Sequence, residues 1–460
     1  MSLLWPALLP RIARLRLRTL ALLLAVVFAV VHAYLIWLCL GPQAVGANDL
    51  ALYGWWVGEG LSGHGWMGLE VAWVYPVGAL FPMVLAAVAG FGTPYTVTWC
   101  LAITLVNAVT CLAVIRLGAV GAGEGLPKSL ADGLRRASWP LIWWLGFLGL
   151  LGPVAMARLD ALVVPPIVVA LLVAARRPKV ASVLLMAGAW IKVAPAVVLA
   201  PVFAVTKRRW AEVVLPALGF CAGVVLVVFV ISGSVRHLLS FLVAESDRGL
   251  QVESVLATPV VLAHALAGEQ IAFYNQAINT NETWGGGAEM AMLVGDIGLP
   301  LLCLVLAVLA WLARHRPIDG LILASQGLLA ALIVANKVGS PQFCAWLAPV
   351  VLVALVWRRD RQFWRPMALL VAACALLTGV IFPMGYIAFL SAWPPLLVVY
   401  LLRNIGWTLV LVATVIRLVR LVLAIRAEMR RSHPGPRTDF APEHAANQIG
   451  PSTTSDEPAD

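Results

Sequence analysis

Acidic side chains are scarce in this sequence: 22 of 460 residues are Asp or Glu, and charged residues of both signs make up only 12%. A soluble domain carries about 25% charged residues. The deficit, with 62% hydrophobic residues and a mean hydropathy of +0.93, excludes an ordinary soluble globule and implies an integral membrane protein. Alternation of polar and apolar residues is also missing. The apolar runs are continuous, which counts against a β-barrel. The seven cysteines stand singly in apolar runs, with no Cys-x-x-Cys and no His/Cys spacing for zinc. There is no Walker loop, no Gly-x-Gly-x-x-Gly after a strand and no His-Glu-x-x-His. No internal repeat is visible, which counts against a transporter built from two similar halves.

What is present is a series of apolar runs, at about 20–40, 74–91, 95–116, 138–152, 159–175, 180–191, 194–206, 211–232, 289–313, 318–335, 342–357, 367–383 and 395–416. They predict an all-α polytopic membrane protein. The net charge of +10 does not point to nucleic acid. It sits in short basic clusters between runs: Arg11, Arg14, Arg16 and Arg18; Arg176, Arg177 and Lys179; Lys207, Arg208 and Arg209; Arg314 and Arg316; Arg358, Arg359, Arg361 and Arg365; and Arg417 to Arg431. Such clusters mark cytoplasmic segments and contact with anionic lipids. Both termini are then expected in the cytoplasm, which requires an even number of crossings. One run must fail to cross, or two must merge. The suspects are 138–152 and the pair 180–191 and 194–206, all short of the roughly 20 residues a crossing needs.

The basic N-terminus covers residues 1–19, and one transmembrane unit is expected over 20–425. The first run lacks a small-residue cleavage site and ends among His32, Tyr34 and Trp37, so it reads as a retained helix. Long loops at about 41–73 and 233–288 fall on the outer side. The tail from 429 to 460, rich in Pro, Ser, Thr, Asp and Glu, is expected to be disordered.

Polar side chains in those loops are the candidates for chemistry. Asp49 lies just beyond the first run, near Tyr53, Trp55 and Trp56. A carboxylate at a partly desolvated boundary suits a general base, and Asp before Leu-Ala-Leu-Tyr also suits a helix N-cap. A helix from Leu50 to about Gly58 would carry Tyr53, Trp56 and Val57 on one face. Arg158 and Asp160 lie between two runs, where they could contact substrate or bridge two helices. Lys192 stands midway between two basic clusters, at depth or at the outer mouth. There it needs an anion, such as a lipid-carrier phosphate, or must snorkel. Arg248, Gln251 and Glu253 combine cation, amide and carboxylate within six residues, suited to reading a sugar phosphate or to a solvated loop. Lys337, Ser340 and Gln342 form a further set that also suits an ordinary turn.

Together these segments resemble the integral-membrane glycosyltransferases of the GT-C superfamily, in particular actinobacterial glycosyltransferase family 87. The resemblance rests on Asn48-Asp49-Leu50-Ala51-Leu52-Tyr53, on Trp73-Val74-Tyr75-Pro76, and on Ile191-Lys192 with Pro195 and the Lys207-Arg208-Arg209-Trp210 exit. It also rests on Arg248-Gly249-Leu250-Gln251 with Glu253-Ser254, and on Asn336-Lys337 with Ser340-Pro341-Gln342. It covers about residues 20–420. A Gly-Gln-x-Asn segment common in the family is replaced here by Ala157-Arg158-Leu159-Asp160.

The resemblance implies a GT-C-type bundle of about 12 transmembrane helices with outer-face loops, in the plasma membrane. It implies a polyprenyl-phosphate sugar donor, commonly mannose and sometimes arabinofuranose, and a lipid-linked glycan acceptor. Asp49 would be the base of an inverting transfer. Lys192, Arg248 and Lys337 would hold the donor phosphate, and Tyr53, Tyr75, Arg158, Asp160, Gln251, Glu253 and Gln342 the substrates. No metal and no cofactor are implied. A glycolipid transporter or flippase, or a non-catalytic partner in cell-wall assembly, are the competing classes.

Overall fold

The computed structural model describes residues 16–41, 46–90, 92–118, 129–276 and 278–432. Arg11, Arg14 and the tail from residue 433 onward lie outside the described residues. All thirteen apolar runs coincide with helical elements. They are α1 (Leu17–Leu40), then after the short loop helix α2 (Asn48–Leu61), α3 (Val77–Val88), α4 (Tyr95–Leu117) and α5 (Leu130–Leu151). Next come α6 (Asp160–Val173), α7 (Pro178–Ile191), α8 (Ala194–Val205) and α9 (Trp210–Ser232). Two short loop helices, α10 (Ser240–Ser246) and α11 (Thr258–Leu266), lead to α12 (Gly286–Leu312) and α13 (Pro317–Val334). The chain closes with α14 (Pro341–Val356), α15 (Arg361–Gly379), the loop helix α16 (Tyr386–Leu390) and α17 (Pro394–Ser432). Among the described residues, eight helices are long and apolar enough to cross a membrane.

Hydropathy does not separate inner from outer helices here, because lipid and protein core are equally apolar. Packing does. In α13 and in the stretch Leu130–Ala155, 72% of the apolar window is buried, against 11% in α9 and α12. The first two form the centre of the bundle and the last two present their flanks outward. Pro165 and Pro166 stand inside α6, which is buried nearly all round. Membrane-depth breaks of this kind are tolerated when protein surrounds them.

The bundle has two chemically distinct ends. At one, arginines pair with the few acids available: Arg359 with Asp319 at 2.6 Å, Arg316 with Glu428 at 2.7 Å, and Arg417 with Asp360. Arg209 lies 4.3 Å over the Trp311 ring at the same end. The opposite end carries Asp49 and the two long loops.

The odd element is α3. A Cβ on Gly78 would stand 2.6 Å from the Trp190 carbonyl oxygen, and one on Gly54 of α2 would touch the Tyr95 ring at 3.4 Å. So α3 begins and ends at the Asp49 end, and its roughly 12 residues reach only about 18 Å. This adds α3 to the short runs, beside the pair at 180–191 and 194–206, and the one suspect corrected is 138–152. The run at 138–152 looked short because Asp132, Arg135 and Arg136 interrupt its hydropathy, yet the helix extends from Leu130. Helices α7 and α8 form a hairpin: both open ends face the arginine-rich end, and the extended Lys192 (φ −158°, ψ 133°) sits at the tip. At the other extreme of the chain, α17 continues to Ser432, so residues 429–432 are helical and not part of a disordered tail.

The second long loop folds into a small antiparallel sheet in the order β1 (Leu250–Gln251), β3 (Thr280–Thr283), β2 (Phe273–Asn275). Glu282 of β3 accepts the Gly249 amide at 2.9 Å and the Asn275 amide group at 3.0 Å, which fixes the chain next to Arg248.

Candidate active site

The helix bearing Asp49 starts at Asn48, with Ala47 as its N-cap and no side-chain cap. Asp49 therefore lies in the first turn, where a negative charge suits the helix dipole, and it does not act as the cap. Leu50, Tyr53, Trp56 and Val57 are buried on one face, as the pattern predicts. Tyr53, Trp56, Trp73 and Tyr75 form a connected aromatic wall with ring centroids 5.3–6.0 Å apart. Trp99 closes it behind Tyr53 at 5.3 Å and donates its indole N–H to the Met156 carbonyl.

The Asp49 carboxylate forms an ion pair with Arg158, Oδ2 to Nη1. Arg158 comes from the turn between α5 and α6, a turn held in place by that Trp99–Met156 bond. Its guanidinium lies 5.4 Å from the centroid of Phe382, and its Nε is buried with no hydrogen-bond acceptor. The Asp49 side chain keeps 26% of its surface exposed, against 9% for Arg158. The carboxylate is thus the accessible half of the pair.

A second pair lies directly behind the first. Asp160 opens α6 and is 1% exposed. Its Oδ2 is 2.8 Å from Lys192 Nζ, and its Oδ1 accepts the Trp346 indole N–H at 2.7 Å. Lys192 also faces the rings of Tyr75, Phe343 and Trp346 at 4.9–5.9 Å. The counter-ion that a lysine at this depth needs is therefore internal.

The third part is the segment Leu250–Ser254, which begins with β1 and is wedged against the loop Asn336–Gln342. Gln251 donates its backbone N–H to the Lys337 carbonyl at 3.0 Å, and its Oε1 accepts the Gly339 N–H at 3.0 Å. A Cβ on Gly339 would stand 2.1 Å from Ser254 Cα, so only glycine fits between the two backbones. Glu253 is buried at 2% exposure. Its Oε2 takes long hydrogen bonds from Tyr386 and Gln251, both 3.4 Å, and its Oε1 has no donor. Burial pushes its carboxyl up to about 7, against the opposing pull of Arg403, Tyr386 and Arg158. Tyr75, at the edge of this group, is pushed up to about 12 by burial and by the Asp160 charge.

The remaining expected residues are more peripheral. Arg248 lies 3.3 Å from the half-exposed Glu245. Lys337 donates to the Ser246 carbonyl at 2.8 Å and pairs with Asp296 at 3.3 Å. Gln342 is buried at the start of α14. The structure thus gathers Asp49, Tyr53, Tyr75, Arg158, Asp160, Lys192, Gln251 and Glu253 closely, with Arg248, Lys337 and Gln342 at the margin.

Several participants are absent from the sequence expectations. Arg403, fully buried in α17, donates to the Glu253 carbonyl at 2.6 Å, and Tyr400 and Asn404 converge on the Ser254 carbonyl at 3.1 and 3.4 Å. An arginine inside a long apolar helix is itself a signal of function or buried pairing, and Arg403 had that signal. Trp346, Phe382 and Tyr386 had none beyond being aromatic. A groove of about 200 Å³ opens beside this support, lined by Val255, Thr258, Asn404 and Thr408 among others.

The arrangement offers a carboxylate within reach of solvent, a guanidinium on it, and buried hydrogen-bonding groups around both. That combination can deprotonate a hydroxyl and stabilise an anion in one place. No curated protein and no solved structure matches the chain. Residues 73–293, which include Tyr75, Arg158, Asp160, Lys192, Arg248, Gln251 and Glu253, match the model of glycosyltransferase family 87, so this part of the chain is similar to that family of glycosyltransferases.

Proposed function

We propose that the protein transfers a sugar, mannose before arabinofuranose, from a polyprenyl-phosphate donor to a lipid-linked glycan acceptor on the outer face of the cell membrane. The family match supplies the reaction class. The observation that carries the reading is the contact between Asp49 and Arg158, which joins a proton acceptor to an anion ligand at a partly exposed position.

In this reading Asp49 takes the proton of the acceptor hydroxyl. The oxygen attacks the anomeric carbon from the face opposite the phosphate. The bond from that carbon to the phosphate oxygen breaks, its electron pair leaves with polyprenyl phosphate, and the configuration inverts. A phosphate leaving group needs cations more than it needs a proton. Arg158 and Arg248 serve it, with Lys192 and Lys337 behind them. Gln251, Glu253 and Gln342 take sugar hydroxyls, and the rings of Tyr53 and Tyr75 form the apolar side of the sugar site. Asp160 keeps Lys192 and Trp346 in register beside Arg158.

The same reading gives twelve crossings over residues 20–425, with α3 lying at the outer boundary. It leaves both termini, including residues 429–460, in the cytoplasm. The test is a transfer assay with purified protein in detergent, a lipid acceptor, and polyprenyl-phosphate mannose or arabinofuranose as donor. Transfer of mannose that vanishes in Asp49→Asn supports the proposal. Transfer of neither sugar sinks it. Reporter fusions near residues 62 and 251 that fall on opposite sides of the membrane would sink the topology.

A further inference from the structure

The contact that makes the site recognisable also restrains it. While Arg158 holds Oδ2, Asp49 shares its charge with a guanidinium and is a weaker proton acceptor. The two lysines of the site are better satisfied than Arg158, and Arg248, whose Nε also lacks a hydrogen-bond acceptor, lies at the margin beside Glu245. Lys192 has the Asp160 carboxylate and three aromatic rings. Lys337 has the Ser246 carbonyl and Asp296. Arg403 donates to the Glu253 carbonyl and to Asn404, with Nη1 left without an acceptor, and its bonds brace the loop and do not touch Asp49. Arg158 is more than nine-tenths buried, yet its Nε has no acceptor. It is flanked by Glu253 as well as Asp160, whose charges both act on it. Glu253 in turn has an oxygen without a donor. Arg158 is therefore a cation with unused hydrogen-bonding capacity whose main partner is the group needed as base.

Resting on the reading above, we propose that the donor's phosphate anion draws Arg158 away from Asp49, so that the carboxylate becomes a competent base only once the donor is in place. Guanidinium is suited to the exchange, because its planar fork takes two phosphate oxygens at once. The Phe382 ring gives it an apolar face to slide across. The order of events follows: donor first, acceptor second. An acceptor or a water molecule arriving alone meets a carboxylate that is already engaged. Arg158 is then a positioning residue for Asp49 as well as a ligand for the leaving group.

The experiment uses full-length protein in detergent and polyprenyl phosphate without sugar as the probe. Binding is followed by tryptophan fluorescence, and Asp49 reactivity by carbodiimide labelling with mass spectrometry. In the wild type, saturating polyprenyl phosphate is expected to raise Asp49 labelling several-fold. In Arg158→Gln, Asp49 should label strongly without the probe, no further rise should follow, and probe affinity should fall at least about tenfold. Arg158→Lys keeps a cation and the packing, and should retain part of the anion response. A helix staple with no switching role would leave labelling independent of the probe. If wild-type protein binds the probe but Asp49 labelling does not change, the switch is overturned and the donor reading stands. If wild-type protein binds no polyprenyl phosphate, both fall.

Discussion

Lys192 and Asp160 form a buried ion pair at 2.8 Å, closed on its other side by the Trp346 indole. Lys192 stands at the tip of a hairpin of two short helices, and Asp160 opens the helix that packs beside it. Removing one partner of such a pair leaves an unpaired charge in the interior. Asp160→Asn is expected to cost about 3–5 kcal/mol of stability, read as a lower midpoint of thermal unfolding in detergent. The double variant Asp160→Asn, Lys192→Met should recover part of the loss. A double variant as unstable as the single one would mean that the pair is not the source.

Asp49→Asn keeps the shape of the side chain and removes the proton acceptor. Transfer should fall by about 10²–10⁴-fold, while polyprenyl phosphate binding is retained or tightens, because Arg158 no longer has the Asp49 charge to leave. Activity within a few-fold of wild type would assign the proton to another group.

Glu253 gives a pH signature. Its carboxyl is raised from 4.5 to about 7 in the fold, chiefly by burial. The folded state therefore binds more protons than the unfolded chain between these values, so this group's contribution to stability declines as pH rises through that window. Glu253→Gln abolishes the decline. Relative to wild type, the variant should gain up to about 3 kcal/mol between pH 4.5 and pH 8, measured as the pH dependence of the unfolding midpoint. Parallel curves for the two proteins would contradict the raised carboxyl.

Gly339→Ala drives a methyl group into the Ser254 backbone. Backbone cannot swing aside as a flexible side chain can, so the cost should lie at the upper end of the roughly 1–3 kcal/mol typical of overpacking. Limited proteolysis should cut the 250s loop faster in the variant. An unchanged cleavage rate would mean that the two loops can separate freely.

Much of the architecture was legible in the sequence because membrane helices advertise themselves by unbroken apolar runs. Each of the thirteen runs became a helical element, and the face of α2 with Tyr53, Trp56 and Val57 followed from spacing alone. What escaped was pairing across the chain. Nothing local to Asp49 specifies Arg158, and nothing local to Lys192 specifies Asp160, because those contacts arise from how α2, α6 and α7 are packed. The extent of α5 was misjudged because Arg135 and Arg136 lower its hydropathy without ending the helix. Arg403 was visible as a charge in an apolar helix, yet its target, the Glu253 carbonyl, lies on a loop far away in the chain.

The interlock of Gly339 with Ser254 has a consequence for traffic. With no slack between the two backbones, that side of the site behaves as a fixed wall. Arg403, Tyr400 and Asn404 brace it from behind. The lipid-linked reactants proposed above would not enter by swinging this wall open. The open approach in the proposed reaction is past α2, where the carboxylate of Asp49 is a quarter uncovered. On that reading, substitutions on the exposed side of α2 should change which substrates are admitted more than how fast an admitted one reacts.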